Sequence, residues 1–285
     1  IPGTLTFPAG VSGKVPAMVV AHHCGGITGS VTNMAALLNS LGIATFIPDS
    51  FTPRGYRDGV CTSGGTNAVS HGSATADALY ALKLLATHPN IDASRIGIVG
   101  QSYGGNPSFL SAFEEIRKKV IDDSLKFAAH IGLYPASCGW RNWSPNMTGA
   151  PMLILLGAAD DEISATHCAA FSAKLRAEAK PAPQITTIIY PDAPHAWDTP
   201  TGSPTYKSGP TNWSKCYGEF RMDTLQSFRY DTGAPLTDST AYLNSCTYKG
   251  VTEGRHEPTK VASYNDIAIF LAKTFKLSNI ALPAS

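Results

Sequence analysis

The segment Gly-Gln-Ser-Tyr-Gly at residues 100–104 limits most strongly what this chain can fold into. An apolar run, residues 96–99, leads into it, and a helix-compatible run, residues 108–119, follows it. The order of strand, tight turn and helix presents a serine oxygen beyond the end of a sheet. Glycine on each side of Ser102 removes the Cβ atoms that would collide with the neighbouring strand and helix. The pattern therefore predicts that Ser102 is a nucleophile.

Apolar runs alternate with helical segments along most of the chain. The main candidate strands lie at residues 17–21, 43–47, 96–99, 127–133, 151–156 and 184–190. Most of these runs do not alternate polar with apolar residues, which is typical of strands buried on both faces of a parallel sheet. We predict an α/β fold with a mostly parallel central sheet that helices cover on both faces. Ligand sites in such sheets lie beyond the carboxyl ends of the strands.

The periodicity fails after His195. Residues 196–255 are rich in prolines and aromatic residues, and they contain Cys216 and Cys246. We predict a single domain over residues 1–285, in which residues 196–255 form an irregular insertion. A Cys216–Cys246 disulfide is expected because both cysteines lie in one aperiodic segment. Two interpretations of the aromatic side chains remain open, a rim around the active site or a small local core. These side chains are Tyr206, Trp213, Tyr217, Phe220, Phe228 and Tyr230.

The composition favours a secreted or periplasmic protein. The net charge of +1 does not favour binding to nucleic acid or to an anionic membrane. No apolar run approaches the roughly 20 residues of a membrane span. The six cysteines form no Cys-x-x-Cys pair, and their even number and wide spacing favour an oxidising compartment over reduced, buried thiols. We expect Ile1 to be a mature N-terminus, since no signal peptide precedes it. The sequence leaves the pairing of the other four cysteines open.

The order of three residues along the chain predicts how Ser102 is activated. A serine hydroxyl is a weak nucleophile at neutral pH, so it needs a histidine base and a carboxylate that orients the base. Asp160 follows one candidate strand, and His195 follows the next. Serine, acid and histidine in this order after separate strands predict a catalytic triad. Asp161 is the alternative acid, but a second aspartate more naturally faces solvent or caps a helix, so we prefer Asp160.

The segment His-His-Cys-Gly-Gly at residues 22–26 follows a buried candidate strand. Acyl transfer needs N–H donors for the developing oxyanion, and we predict the backbone N–H groups of Tyr103 and Cys24. A simple glycine turn is the alternative role for this segment. A metal site on the adjacent histidines and Cys24 would lack further ligands, so we predict no metal and no cofactor.

Taken together, these motifs resemble those of dienelactone-hydrolase-like α/β-hydrolases. In chain order they are His-His-Cys-Gly-Gly (22–26), Pro-Asp-Ser-Phe-Thr-Pro-Arg-Gly (48–55), Gly-Gln-Ser-Tyr-Gly-Gly (100–105), Leu-Tyr-Pro (133–135), Gly-Ala-Ala-Asp-Asp (157–161) and Tyr-Pro-Asp-Ala-Pro-His-Ala-Trp (190–197). The resemblance covers roughly residues 4–198 and resumes in the last helix. It implies an α/β-hydrolase fold without a large separate cap, and hydrolysis of an ester or lactone without a cofactor. By motif position, Ser102, Asp160 and His195 form the triad, and Cys24 and Tyr103 supply the oxyanion donors.

The departures from this family bear on the substrate. True dienelactone hydrolases use a cysteine nucleophile, where this chain has Ser102, and a glutamate where it has His23. They also hold the substrate carboxylate with an arginine shortly after the histidine, and residues 196–200 supply none. Arg54 stands near the other arginine position of the family. We therefore reject dienelactone itself, and His23, Arg54 and Trp197 are candidate substrate contacts.

We expect a serine carboxylesterase that acts on small-molecule or polymeric esters. A polyester or aromatic-ester depolymerase is a narrower version that rests only on the aromatic insertion. A serine peptidase on the same fold is a second hypothesis, although the chain shows no acidic pair dedicated to a peptide amino terminus. A non-catalytic binding protein is the third, and the complete triad argues against it. Substrate choice is expected to depend on residues 49–72 and on the insertion, whereas acyl and alcohol groups and oligomeric state are not predicted.

Overall fold

The apolar runs form the strands at the centre of the molecule. The computed structural model describes residues 1–10, 12–61, 68–121 and 124–277. Its strands are β1 (Gly3–Thr6), β2 (Val15–Ala21), β3 (Ala44–Pro48), β4 (Ile91–Gln101), β5 (His130–Leu133), β6 (Trp140–Trp143), β7 (Met152–Gly157), β8 (Ile185–Tyr190), β9 (Thr205–Asn212), β10 (Gly218–Arg221), β11 (Gln226–Arg229) and β12 (Tyr248–Glu253). Its helices are α1 (Gly29–Ser40), α2 (His71–Ala86), α3 (Gly105–Leu110), α4 (Glu114–Val120), α5 (Ala165–Glu178), α6 (Ser239–Cys246) and α7 (Glu257–Phe275).

Seven of these strands make one sheet, in the order β1-β3-β2-β4-β5-β7-β8 within the described ranges. β1 is antiparallel to β3 at one edge, and the other neighbouring pairs are parallel. Every residue of β2, β3 and β7 is buried, as their unbroken apolar runs predict. The prediction of a mostly parallel central sheet is confirmed.

Helices pack on both faces of this sheet, and alternate side chains of β2 contribute to the core on each face. Successive side chains of a strand point to opposite faces. Met18 and Val20 join one core with buried side chains of α1 and α7, whereas Ala17 and Val19 join a second core with α2. A third core lies between α3, α5 and β7. The predicted covering of both faces is confirmed.

The helix-compatible run at residues 108–119 forms parts of two helices, α3 and α4, with a break between them. Phe113, at the break, is extended, fully buried and paired with Met147 in an isolated bridge. The carbonyl of Ala112 also accepts a hydrogen bond from the Thr148 N–H over 2.8 Å. Pairing with a distant segment interrupts a run whose composition alone suits a helix.

The insertion is more ordered than its sequence pattern indicates. β9 and β12 form an antiparallel ribbon, and β10 and β11 join β6 in a second small sheet. The predicted Cys216–Cys246 disulfide is confirmed, and it joins the start of this sheet to α6. β9 is mostly exposed and contains Gly209 and Pro210, so it lacks the periodicity from which a strand is predicted.

Several aromatic side chains of the insertion pack against the body of the protein. The rings of Tyr217 and Tyr230 lie 4.7 and 5.8 Å from that of His167 on α5. The guanidinium of Arg141 sits 3.4 Å from the Tyr230 ring centroid. Trp213 packs against the third core, whereas Tyr206 is exposed. This packing favours the local-core interpretation over an aromatic rim.

The four cysteines whose pairing the sequence left open form Cys24–Cys61 and Cys138–Cys168 disulfides. The second ties the turn before β6 to α5. The first ties the loop after β2 to a segment that precedes α2. Across the described ranges, no helix has the length and apolar character required to cross a membrane.

Candidate active site

Three loops at the carboxyl ends of parallel strands bring Ser102, Asp160 and His195 together. These residues follow β4, β7 and β8 respectively. His195 Nε2 lies 3.0 Å from Ser102 Oγ, and His195 Nδ1 lies 2.8 Å from Asp160 Oδ2. Both distances are within hydrogen-bond range. The geometry is that of a nucleophile, a base and an acid that orients the base.

The turn that carries Ser102 explains why glycine flanks it. Ser102 has a φ of 51°, in the left-handed region that non-glycine residues rarely adopt. A Cβ atom on Gly100 would lie 2.0 Å from the carbonyl oxygen of Gly104. A Cβ atom on Gly104 would lie 2.1 Å from the carbonyl oxygen of Ala21. The strand and helix can meet this closely only where both positions lack a side chain.

The two adjacent aspartates have separate partners. Asp160 Oδ1 accepts hydrogen bonds from the N–H groups of Glu162 and Ile163, which leaves Oδ2 facing His195. Asp161 Oδ1 instead accepts from the N–H of Thr252 on β12, over 2.7 Å. The geometry therefore favours Asp160 as the residue that orients His195, and Asp161 connects the same loop to the insertion.

The carboxylates around His195 favour its protonated form. Burial lowers the pKa of His195, but the negative charges of Asp160 and Glu162 outweigh burial and raise it to about 10. Glu162 Oε2 lies 3.5 Å from His195 Nε2. Glu162 is missing from the predicted site residues, although its place directly after two aspartates was an available signal. In the predicted triad an imidazolium would form when His195 takes a proton from Ser102, and this environment would stabilise that charge.

The predicted oxyanion donors lie on two loops with different supports. The Cys24 loop is held by the disulfide to Cys61 and by a hydrogen bond from Val60 N–H to Cys24 O of 2.7 Å. No described residue accepts a hydrogen bond from the Cys24 N–H. Tyr103 is anchored by its hydroxyl, which donates to the carbonyl of Val69 over 2.7 Å. Both oxyanion roles remain predictions.

His23 is half-buried and has both ring nitrogens engaged. Its Nδ1 accepts a hydrogen bond from the Gly25 N–H, so its Nε2 carries the proton and donates to Thr28 Oγ1 over 2.7 Å. Burial, with the charges of nearby histidines, lowers the pKa of His23 to about 4. The sulfurs of Cys24 and Cys61 lie close to the His23 ring. Because these sulfurs form a disulfide, they are not thiolates that could bind a metal with His23.

Two of the candidate substrate contacts have other partners. Arg54 donates from both terminal nitrogens to the carboxylate of Asp77, over 2.6 and 2.9 Å, and also donates to the carbonyl of Ser50. Trp197 is fully buried, and its indole N–H donates to Ser263 Oγ. The interpretation of Trp197 as a substrate contact is therefore corrected: its ring belongs to the core. Arg54 is paired with the buried carboxylate of Asp77 but keeps about a third of its side chain exposed, and its contact with substrate stays a prediction.

A buried polar network behind the triad was not predicted. Asp198 is fully buried, and it accepts hydrogen bonds from Gln101 Nε2 and from the hydroxyl of Tyr134. The Tyr134 ring in turn packs edge-on against His195, with centroids 4.7 Å apart. Burial raises the pKa of Asp198, and its two hydrogen bonds oppose that effect. The three residues are far apart in sequence, so no local pattern indicates their contact.

The chain is similar to known proteins in family and in fold. The model of the dienelactone hydrolase family matches residues 1–217. Esterase 2 of Thermogutta terrifontis, phosphonylated by cyclosarin, is similar over 98% of this chain and 90% of its own, with 13% identity and a TM-score of 0.61. A dienelactone hydrolase-like promiscuous phosphotriesterase from metagenomic libraries is similar over 95% and 92%, with 14% identity and a TM-score of 0.56.

A third structure, Est1E from Butyrivibrio proteoclasticus with ferulic acid bound, is similar over 68% of this chain and 86% of its own. Its identity is 16% and its TM-score 0.50. A search among curated proteins found no match. At these identities the structural likeness shows the α/β-hydrolase fold.

Proposed function

The chain belongs to the dienelactone hydrolase family, and we propose that it is a serine carboxylic-ester hydrolase that works through an acyl-enzyme. The observation that carries the proposal is the contact of one imidazole with Ser102 Oγ and, through its other nitrogen, with Asp160. A base and a group that orients the base are the two side chains that a serine hydroxyl needs in order to become nucleophilic.

In the first half-reaction Ser102 Oγ attacks the ester carbonyl carbon. His195 Nε2 takes the Ser102 proton as the oxygen–carbon bond forms, and Asp160 holds the imidazolium in place. The carbonyl oxygen becomes an oxyanion that the N–H groups of Cys24 and Tyr103 stabilise. The tetrahedral intermediate then loses the alcohol, which receives the proton from His195 Nε2. The product is an acyl ester on Ser102.

In the second half-reaction a water molecule takes the place of the alcohol. His195 removes one proton from the water as its oxygen attacks the acyl carbon, and the same oxyanion donors act again. Collapse of this intermediate breaks the bond to Ser102 Oγ, which recovers its proton from His195. The acid is released, and no cofactor takes part in either step.

The substrates proposed are small-molecule esters. The inward packing of Tyr217, Tyr230 and Trp213 removes most of the support that the insertion offered for a polymeric or aromatic substrate. The three disulfides support a place in an oxidising compartment, outside the cell or in the periplasm. We also propose that residues 1–285 act as one domain, since the insertion contacts both the acid loop and the base loop.

The test is hydrolysis of p-nitrophenyl acetate and butyrate by the wild type, Ser102→Ala and Ser94→Ala. We expect Ser102→Ala to lose activity by several orders of magnitude. Ser94→Ala, which changes an exposed serine near the start of β4, serves as the control and should keep the wild-type rate. A fluorophosphonate probe should label the wild type and not Ser102→Ala. Full activity or labelling in Ser102→Ala would refute the proposal.

A further inference from the structure

Glu162 is a carboxylate beside the reacting atoms to which the ester-hydrolysis mechanism assigns no step. Its Oε2 lies 3.5 Å from His195 Nε2, the same nitrogen that Ser102 Oγ approaches at 3.0 Å. The Glu162 side chain is 16% exposed, so it is mostly buried but retains some access to solvent. It therefore lies at the reacting centre and not behind it, in contrast to Asp160, whose side chain is 2% exposed.

The backbone on both sides of this side chain is held in place. The Glu162 N–H donates to Asp160 Oδ1, and the Glu162 carbonyl accepts from the N–H of Trp213. The first bond ties Glu162 to the triad, and the second ties it to the insertion. With its backbone anchored on both sides, Glu162 can move its carboxylate only by rotation about its side-chain bonds.

The position of the departing alcohol determines which part of the substrate lies next to Glu162. His195 Nε2 must protonate the departing alcohol oxygen, so that oxygen must come within hydrogen-bond reach of Nε2. Glu162 Oε2 already lies 3.5 Å from Nε2. The carbon atoms attached to the leaving oxygen therefore lie beside the Glu162 carboxylate, whereas the acyl group extends from the carbonyl carbon at Ser102.

A carboxylate in this position discriminates between alcohols by hydrogen bonding and charge. When ionised it only accepts hydrogen bonds, so it favours a donor on the alcohol and repels an anion. Asp160, Asp161 and Glu253 add negative charge around Glu162, and the charge of protonated His195 opposes them. Burial raises the pKa of Glu162 to about 7, so the ionised form predominates in mildly alkaline solution.

We propose that Glu162 is a specificity-determining residue that selects esters whose alcohol carries a hydroxyl group on the carbon next to the ester-bearing carbon. Esters of glycols, glycerol and sugars share this vicinal hydroxyl. Its O–H donates to Glu162 while the ester oxygen stays next to His195 Nε2. The inference rests on the proposed ester hydrolysis at Ser102, and it adds the alcohol class to that function.

The test compares three acetates with the same acyl group at a pH above 8, where Glu162 is ionised. 2-Hydroxyethyl acetate carries the donor, 2-methoxyethyl acetate lacks it at similar size and leaving-group acidity, and acetoxyacetate carries an anion. Each kcat/KM is normalised to the alkaline hydrolysis rate of the same ester. We expect the wild type to prefer the hydroxyethyl over the methoxyethyl ester by roughly tenfold or more, as a hydrogen bond to a charged group allows.

The variants are Glu162→Ala, Glu162→Gln and the neighbouring control Asp161→Asn. Glu162→Ala should bring the hydroxyethyl-to-methoxyethyl ratio close to one, and Asp161→Asn should leave it at the wild-type value. Glu162→Gln keeps a carbonyl acceptor without the charge, so it should retain part of this ratio and raise the relative rate on acetoxyacetate. Because Gln is nearly isosteric with Glu, this variant decides the matter if Glu162→Ala does not fold.

The outcomes separate the alcohol selectivity from the proposed function. Unchanged ratios in both Glu162 variants would overturn the role of Glu162, while loss of all hydrolysis in Ser102→Ala would still support the ester hydrolase. A wild-type enzyme that cleaves none of the three acetates and no p-nitrophenyl ester would overturn both.

Discussion

Gln101, the residue before Ser102, donates a hydrogen bond of 2.5 Å from Nε2 to Oδ2 of Asp198, which follows His195 by three positions. Both side chains are fully buried. One contact thus joins the turn that carries Ser102 to the loop that carries His195. The other carboxylate oxygen of Asp198 accepts from Tyr134, whose ring packs on His195. The separation of Ser102 and His195 is therefore set partly by a buried network of side chains.

We predict that Asp198→Ala destabilises the protein and also slows catalysis. It leaves the buried hydroxyl of Tyr134 without its acceptor and should lower the free energy of unfolding by about 3 kcal/mol. At a temperature where the variant is folded, kcat should fall roughly ten- to a hundredfold, because Ser102 and His195 are less well aligned. Chemical denaturation and steady-state kinetics measure the two effects. Asp92→Ala, at a more exposed ion pair, is the control, with a loss below about 1 kcal/mol and wild-type kcat.

The adjacent aspartates allow a matched test of the acid. Asp160→Asn should lower kcat on an activated ester by about 10⁴-fold, because an amide cannot stabilise the imidazolium and can favour the wrong tautomer. Asp161→Asn should leave kcat near the wild-type value, since its contact is with Thr252 N–H and not with His195. Kinetics on p-nitrophenyl acetate compare the two. The reverse ranking would assign the acid to Asp161.

Loss of the Cys24–Cys61 disulfide should lower kcat as well as stability. Its ends are 37 residues apart, and those of Cys216–Cys246 are 30 apart, so chain entropy predicts a similar loss for each, about 4 kcal/mol, when both cysteines become serine. Of these two disulfides, only Cys24–Cys61 holds a loop that carries a proposed oxyanion donor. We expect the Cys24→Ser/Cys61→Ser variant to lose kcat by roughly a hundredfold.

The Cys216→Ser/Cys246→Ser variant is the control for this disulfide and should keep its kcat below its melting temperature. Thermal denaturation of both variants establishes that their stabilities are comparable. An equal effect of the two variants on kcat would show that the Cys24–Cys61 bond acts through stability alone.

The pH dependence of the reaction should reflect the carboxylates around His195. His195 must be neutral to take a proton, and its pKa is raised to about 10 because Asp160 and Glu162 outweigh the effect of burial. We therefore expect kcat/KM to rise as the pH increases into the alkaline range. Glu162→Gln removes one negative charge, which lowers the pKa of His195, so the rising limb should move to lower pH. The measurement is a pH–rate profile of both enzymes. A rising limb that stays in place or moves to higher pH in Glu162→Gln would contradict this assignment.

Arg54 should contribute to stability and not to substrate binding. Asp77 is buried, and Arg54→Ala leaves its carboxylate without the guanidinium, which should cost about 3 kcal/mol of unfolding free energy. The KM for acetoxyacetate relative to 2-methoxyethyl acetate should stay unchanged. Arg57→Ala, an exposed arginine of the same loop, is the control for stability. A selective rise in KM for the anionic ester would restore Arg54 as a substrate contact.

Periodicity and motif order were enough to predict the sheet and to bring the three candidate catalytic residues to one edge of it. The unbroken apolar runs of β2, β3 and β7 have a direct physical cause, burial on both faces. The glycines around Ser102 mark a close approach of backbone that allows no Cβ atom. These signals are local, so they can be recognised in a single sequence.

The contacts that the sequence does not reveal are long-range and depend on side-chain geometry. Gln101 and Asp198 are 97 positions apart, and nothing near either residue marks the other as its partner. The break at Phe113 depends on pairing with Met147, and the strands of the insertion are too exposed to show a core-facing pattern. Trp197 was assigned to the substrate from its place after His195, but its neighbours in space bury it.

The supports of the catalytic loops come late in the chain. Thr252 N–H holds Asp161, Gly254 N–H donates to the carbonyl of His195, and His256 N–H donates to the carbonyl of Trp197. A polypeptide that has emerged only as far as His195 already contains the three proposed catalytic residues, but none of these bonds. During synthesis the proposed site therefore gains these supports only when β12 and the start of α7 arrive.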